Sequence, residues 1–365
     1  MSWKNFSTSF RNRTMWLIEK SFGRKALSPL EINLSDINRI LVIRQQDQLG
    51  DFLLSTPVLR ALRERFPGSR ITVLVRGYTR DAAAFNQYIN DVFFLPESGY
   101  SYSFTWLKSF WRNLRAGYDL AILLNTVSHS LSSDILSFLS KSQYVLGSEH
   151  RIFPGCQRNL FYNLIAPYAE EEKHQTERNL DIVRYLGIDT DNRSEIMTVT
   201  KEERNWAAEY LRGKGTTKNT RLIGIHPGAG KVENRWQVNK FAAVANVLYE
   251  RDLLPVLFWG PKEKELGEEL LAQLEFKPII CDTLNLRRFA AVVQQMKLFL
   301  CNDTGVMHVA ASVGTPLVAI FGPTEPVYWK PLGEQFIAVR AEDQQCQSVT
   351  VEKVLEQMKK LLPLN

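Results

Sequence analysis

Two series of short, wholly apolar runs, each run separated from the next by a helix-periodic segment, limit what this chain of 365 residues can become. Arg39-Ile40-Leu41-Val42-Ile43-Arg44 shows no polar alternation, which predicts a parallel strand buried on both faces. A polar turn from Gln45 to Gly50 follows. Asp51 then opens a segment with Leu54, Val58 and Leu62 at four-residue spacing, predicting one helix that stops at Pro67-Gly68. Arg70-Ile71-Thr72-Val73-Leu74-Val75 predicts the next strand and completes a right-handed βαβ unit. Val92-Phe93-Phe94-Leu95 and Leu120-Ala121-Ile122-Leu123-Leu124 extend the same sheet. The pattern restarts at Leu222-Ile223-Gly224-Ile225. It continues through a helix from Asn239 to Arg251, a strand at Pro255–Trp259 and another at Lys297–Cys301, then a helix opening near Gly305 and a strand at Leu317–Phe321.

Strands alternating with helices predict an α/β chain with doubly wound sheets. Its length exceeds one core of roughly 150 to 250 residues, so two domains are expected. The boundaries read as a basic aromatic extension (1–35), an N-terminal Rossmann-like domain (36–190), a polar linker region (191–220) closing in a hinge, a C-terminal Rossmann-like domain (221–345) and a C-terminal helix (346–365). Ligands in such sheets sit beyond the carboxyl ends of the strands. Chemistry is therefore expected in the loops after Arg44, Ile225, Trp259, Cys301 and Phe321.

Several function classes fall away. No apolar stretch reaches the ~18 to 20 residues of a membrane span, and the first residues lack a signal-peptide pattern. Cys156, Cys281, Cys301 and Cys346 are far apart, which fits neither a structural zinc nor a disulfide framework and suits a reducing cytoplasm. Residues 1 to 30 hold six bases against one acid, so five of the six net positive charges lie there and the body is nearly neutral. A nucleic-acid groove would need that charge in the folded domains. In the same segment Trp3, Phe6, Phe10, Trp16, Leu17 and Phe22 interleave with the bases. It reads either as an anchor in the headgroups of an anionic membrane or as a helix packed on the N-terminal domain. The turn after the first strand has no GxGxxG, which argues against an NAD-dependent dehydrogenase. His226-Pro227-Gly228-Ala229-Gly230-Lys231 is not a Walker A loop, because Ile225 and Val232 stand where that motif needs glycine and Ser/Thr. Asp189-Thr190-Asp191 matches the short DxD pattern of metal-dependent sugar transferases, but it follows a helix end where Asp is a common turn former.

Four loops carry a resemblance. Leu49-Gly50-Asp51 with Ser55-Thr56-Pro57, then His226-Pro227-Gly228-Ala229-Gly230, then Asn302-Asp303-Thr304-Gly305-Val306-Met307-His308, and finally Phe321-Gly322-Pro323-Thr324-Glu325-Pro326 resemble glycosyltransferase family 9, the ADP-heptose:lipopolysaccharide heptosyltransferases, in family order. The resemblance implies a GT-B fold, two Rossmann-like domains facing across a cleft, with the acceptor on 36–190 and the nucleotide sugar on 221–345. It also implies an inverting, metal-independent transferase with no cofactor. Its donor would be ADP-heptose and its acceptor a lipid A-core glycolipid, and it would work in the cytoplasm, at or near the inner-membrane surface. Rival readings are a transferase using another nucleotide sugar and a non-catalytic glycan-binding protein.

The resemblance makes Asp51 the catalytic base, removing the acceptor hydroxyl proton as the anomeric carbon develops positive charge. An N-cap is the alternative for an Asp at a loop-helix junction. Gly50 is read as permitting the tight turn before it, and Thr56 as part of the same acceptor-side loop. The amides of Asp303, Thr304, Gly305 and Val306, at a strand-to-helix junction, would hold a diphosphate, or else serve only as a capped helix start. His308 is read as structural support. Gly228 belongs to the loop that faces the donor. The family's phosphate-binding lysine corresponds to Asn234 here, within Asn234-Arg235-Trp236-Gln237, leaving Lys231 or Arg235 to replace it. Glu263, in Gly260-Pro261-Lys262-Glu263, corresponds to the acid that contacts the nucleotide ribose, or is a solvated first-turn acid. The segment 321–326 is a cleft wall or a plain turn.

Overall fold

The computed structural model describes residues 3–45, 48–97, 103–126, 130–149, 153, 156–168 and 172–362. Side chains of the first helix, Trp3–Phe22, are described from Asn12 onward, Ile18 excepted. The Trp3, Phe6 and Phe10 side chains, and Gln46 and Asp47 of the first polar turn, lie outside the described residues. Two compact units emerge.

The first unit comprises Met1–Asp47, Ser55–Arg80 and Gln87–Asn192. Its strands are β1 (Arg39–Arg44), β2 (Arg70–Arg76), β3 (Asp91–Leu95), β4 (Leu120–Leu123), β5 (Tyr144–Ser148) and β6 (Leu164–Ala166). They form one sheet in the order β3-β2-β1-β4-β5-β6, with every pairing parallel. Ile40, Leu41, Val42 and Ile43 of β1 are at most 1% exposed, as an unalternating central strand requires. Helices Phe104–Leu114 and Leu131–Leu139 cover one face, placing Phe110, Leu114 and Leu136 in a common core with Leu41, Ile43 and Leu74.

The single helix expected from Asp51 to Pro67 is instead two, Leu49–Leu53 and Thr56–Arg65. Pro57 lies in the first turn of the second. There its missing N–H and fixed φ suit a helix start, whereas inside a longer helix they would remove a hydrogen bond and clash with the preceding turn.

The second unit comprises Gln48–Leu54, Asp81–Asn86 and Arg193–Asn365. It thus takes in two short pieces from the first half of the sequence. Its strands are β7 (Leu222–His226), β8 (Leu254–Trp259), β9 (Ile279–Asp282), β10 (Leu298–Asn302), β11 (Leu317–Phe321) and β12 (Phe336–Arg340). Their order, β12-β11-β10-β7-β8-β9, is again all parallel. Counted from β1 and from β7, both sheets run 3-2-1-4-5-6, the dinucleotide-binding order. The strand order reverses between β7 and β10, so a crevice is expected beyond their carboxyl ends.

The stretch 191–220, read above as a linker region, contains the helix Lys201–Gly213. Thr200 Oγ1 accepts the Glu203 N–H at 3.2 Å while a Glu203 carboxylate oxygen accepts the Thr200 N–H at 2.8 Å, a reciprocal cap. The helix buries Ala207 and Leu211 and packs on Leu286–Val293. The polar composition that suggested a linker is its solvated face. Arg287 secures residues 81–86 to the same unit, donating to the Asp81 and Ala84 carbonyls at 3.2 and 3.4 Å.

Candidate active site

The switch point of the second sheet is built by the residue that ends β10. Asn302 is fully buried. Its amide nitrogen donates to the Pro227 and Gly228 carbonyls at 2.8 and 3.3 Å, and its oxygen accepts the Trp236 N–H at 2.9 Å. One side chain therefore ties the loop after β7 to the end of β10 and to the segment leading into helix Val238–Tyr249. Sequence reasoning quoted Asn302 without assigning it a task. The available signal was an amide closing an otherwise apolar strand, Leu298-Phe299-Leu300-Cys301-Asn302.

Beyond Asn302 the chain turns into helix Gly305–Ser312. The Asp303 N–H completes the sheet by donating to the Ile320 carbonyl at 2.9 Å, so it is not part of the expected cradle. The amides of Thr304, Gly305 and Val306 donate to no protein acceptor among the described residues, and all three residues are partly exposed. They are the unsatisfied donors that every helix start presents, at its positive end. An anion is their natural partner.

Helix Leu49–Leu53 lies directly on helix Gly305–Ser312. Glycine makes the approach close: a Cβ at Gly50 would stand 2.6 Å from His308 Cδ2, and one at Gly305 would stand 3.5 Å from Leu49 Cβ. Gly50 is thus inside a helix at a close contact, not at the tight turn expected of it. Asp51 is the third residue of this helix and half-buried; its Oδ2 accepts the Gln48 N–H at 3.1 Å. It is not the N-cap, which is Gln48. Asp51, read from sequence as belonging to the N-terminal domain, sits in the second unit, on the helix that packs against Gly305–Ser312. Thr56 belongs to the first unit, fully buried at the start of helix Thr56–Arg65.

A buried ion pair underlies this contact. His308 Nδ1 lies 3.0 and 3.1 Å from the two Glu195 carboxylate oxygens, and neither side chain is more than 5% exposed. Burial disfavours the imidazolium, but Glu195, Asp303 and Asp51 together outweigh it and raise the His308 pKa. Removing one partner of such a pair costs about 3 to 5 kcal/mol, because the other is left charged and dry. Glu195 was invisible in the sequence; its partner is 113 residues away. The Asp303 carboxyl is pushed up by burial, against a Thr324 hydrogen bond and the nearby charges of His308 and Lys231. Asn234, at the family's lysine position, donates to Asp303 Oδ2 at 3.2 Å and lies 3.5 Å from Thr324 Oγ1.

On the other flank, Glu263 reaches the loop after β7. One carboxylate oxygen accepts the Gly260 N–H at 3.0 Å and lies 3.2 Å from His226 Nε2. Burial raises the Glu263 pKa, but His226, the Gly260 N–H and Arg235 overcome that and leave it lowered. Glu263 is therefore a held carboxylate, not a solvated one. Its other oxygen would lie 1.9 Å from a Cβ at Gly228, so any side chain there would push this carboxylate out of its place. His226 is buried, and its Nδ1 has no hydrogen-bond partner among the described residues. Arg235 Nε donates to the Ala229 carbonyl at 2.9 Å, and Lys231 is exposed. In the last loop Arg340 pairs with Glu325 and donates to the Gly322 carbonyl at 2.9 Å, so 321–326 is a braced turn. Asp189, in the first unit, is paired with Arg184 at 2.9 Å. Among the described residues no group of three or more His, Cys, Asp or Glu side chains is arranged to hold a metal ion.

The model of glycosyltransferase family 9 (heptosyltransferase) matches residues 107–359. The chain belongs to glycosyltransferase family 9. Lipopolysaccharide heptosyltransferase 3 of Escherichia coli K12 is 28% identical over 297 residues, 79% of this chain and 84% of that protein. A solved family 9 glycosyltransferase from Veillonella parvula superposes with a TM-score of 0.78 at 26% identity, covering 89% of this chain and 97% of the other. An E. coli ADP-heptose LPS heptosyltransferase II superposes at 0.73 with 24% identity, covering 89% and 98%, and bears on the fold. This family 9 protein is a glycosyltransferase with the α/β architecture of the GT-B type, one six-stranded parallel sheet in each unit.

Proposed function

We propose that this protein is an inverting heptosyltransferase that moves a heptose from ADP-heptose to the core region of a lipid A glycolipid. The observation that carries the reading is the packing of the Asp51 helix on the helix whose first amides, at 304–306, have no protein acceptor among the described residues. Asp51 accepts the proton of the acceptor hydroxyl. That oxygen bonds the anomeric carbon on the face opposite the departing diphosphate, and the C–O bond to ADP breaks with its electron pair. The amides of Thr304, Gly305 and Val306 take the developing negative charge, and His308, whose proton Glu195 helps to hold, lies further along the same helix. Lys231 supplies mobile charge at the site where Asn234 stands, and Glu263, fixed by His226 over Gly228, meets the nucleotide ribose. The protein works in the cytoplasm, peripherally on the inner membrane.

Incubation with ADP-heptose and a heptose-deficient glycolipid tests this directly. Asp51→Asn should lower turnover by about 10² to 10⁴-fold, the usual contribution of a general base, while ADP still binds. Full activity in that variant would remove Asp51 from the mechanism. Asn234 favours one second reading, a different nucleotide-sugar donor, because its amide is committed to Asp303 and Thr324. Thermal stabilisation by a panel of nucleotide sugars distinguishes the two.

A further inference from the structure

Fifteen large apolar side chains are exposed among the described residues, and nine of them lie on just three helices of the first unit: Trp3–Phe22, Phe104–Leu114 and Leu131–Leu139. The second and third of these helices share one face of the sheet, since Phe110, Leu114 and Leu136 enter the same core. Their inward sides are therefore satisfied. Their outward sides still present Phe104 (81% exposed), Leu107 and Trp111 on one helix and Leu131, Ile135 and Phe138 on the other. Scattered exposed leucines need no explanation, but six aromatic and aliphatic groups on two helices that cover the same sheet face do.

The charge around these groups has one sign. Phe104–Leu114 contains Lys108 and Arg112 and no acid, and Arg115 follows with its guanidinium 5.0 Å above the Trp111 ring. The acid of the other helix, Asp134, is fully buried and accepts from Tyr162 and Asn159. At the far end of Phe104–Leu114, a cavity of about 400 Å³ is lined by Arg39, Arg70 and Arg112, together with Tyr118 and Asp91. Arg70 is paired with Asp91 at 2.6 Å, whereas Arg39 and Arg112 line it without a carboxylate partner among the described residues. Aromatic groups flanked by bases, beside a basic cavity with room for a phosphate, complement an anionic lipid surface. A second copy of this chain fits poorly, because a two-fold contact would set the same bases against each other.

We propose that helices Phe104–Leu114 and Leu131–Leu139 form the face on which the protein docks to an anionic bilayer, with Arg39 and Arg112 taking a lipid phosphate. This deepens the reading of a membrane-borne glycolipid acceptor and rests on it. The exposed rings enter the headgroup region, and the bases at their edge meet lipid charge.

The test is co-sedimentation of the full chain with phosphatidylcholine vesicles, with and without phosphatidylglycerol. Two variants are compared, Arg112→Ala/Arg115→Ala and Phe104→Ser/Leu107→Ser, each checked for native helix content. Each base at an anionic surface contributes about fivefold, so the double arginine variant should bind anionic vesicles about 30-fold more weakly and ignore added salt more than the parent does. The serine variant should lose binding to both vesicle types. Transfer from ADP-heptose to a detergent-dispersed acceptor should stay at the parent rate in both, while transfer to a vesicle-embedded acceptor falls with binding. Parent-like vesicle binding by both variants would overturn the proposal, as would light scattering that shows the parent to be a dimer and either variant a monomer. A failed transferase reading gives a different pattern, no turnover in any format, and leaves the vesicle result standing.

Discussion

Replacing Gly50 by alanine isolates the contact on which the site depends. Gly50 lies in a helix without a positive φ, so on propensity alone alanine would stabilise the protein by about 0.5 to 1 kcal/mol. Its neighbour reverses the sign. The new Cβ would lie 2.6 Å from His308 Cδ2 and 3.1 Å from Nε2, and that ring is not the loose end of a flexible chain. It is 4% exposed and anchored through Nδ1 to Glu195 at 3.0 Å. Overpacking of this kind costs about 1 to 3 kcal/mol, which exceeds the helix gain. Gly50→Ala should therefore lower unfolding free energy by about 1 to 2 kcal/mol in urea titrations. In a His308→Ala background the obstruction is gone, and the same substitution should stabilise by about 0.5 to 1 kcal/mol. Asp51 is the next residue, so displacing its helix by even ~1 Å should also reduce kcat by up to about 100-fold. Stabilisation in the parent background, or strict additivity of the two substitutions, would refute the contact.

The pH dependence has a definite sign. His308 binds its proton more tightly folded than unfolded, so its contribution is complete below its ordinary value of 6.5 and is lost as pH rises through the raised folded value. Stability measured by denaturant across that window should fall, and Glu195→Gln should flatten the slope. Gly228→Ala drives a Cβ to within 1.9 Å of Glu263 Oε1, a side-chain end that can swing away. The variant should lose little stability but raise KM for the donor, and an unchanged KM would separate Glu263 from donor binding. Gly305→Ala meets only ordinary contacts, the nearest at 3.5 Å, and should unfold within about 1 kcal/mol of the parent, unlike Gly50→Ala.

Central strands were legible because burial on both faces leaves a nearly unbroken apolar run, and β1, β2, β7, β8, β10 and β11 all show one, with polar residues mostly at their ends. The strands β6, β9 and β12 lie at sheet edges, where runs are short or half exposed; β5 is interrupted by Gly147 and Ser148. These four do not stand out in the chain. The strand-to-helix junction at Thr304-Gly305 was readable from adjacent residues, whereas Asp51 was singled out by the family resemblance, its local setting alone pointing to a helix cap. Position within a fold does not travel that way. That residues 48–54 pack with the second half of the chain, that Gly50 answers to His308, and that Glu195 charges it all depend on contacts across more than a hundred residues. Periodicity and turn chemistry act over a few residues and were readable from sequence alone. Close packing and buried charge pairing act between segments that only the folded chain brings together, so those were decided by the tertiary structure.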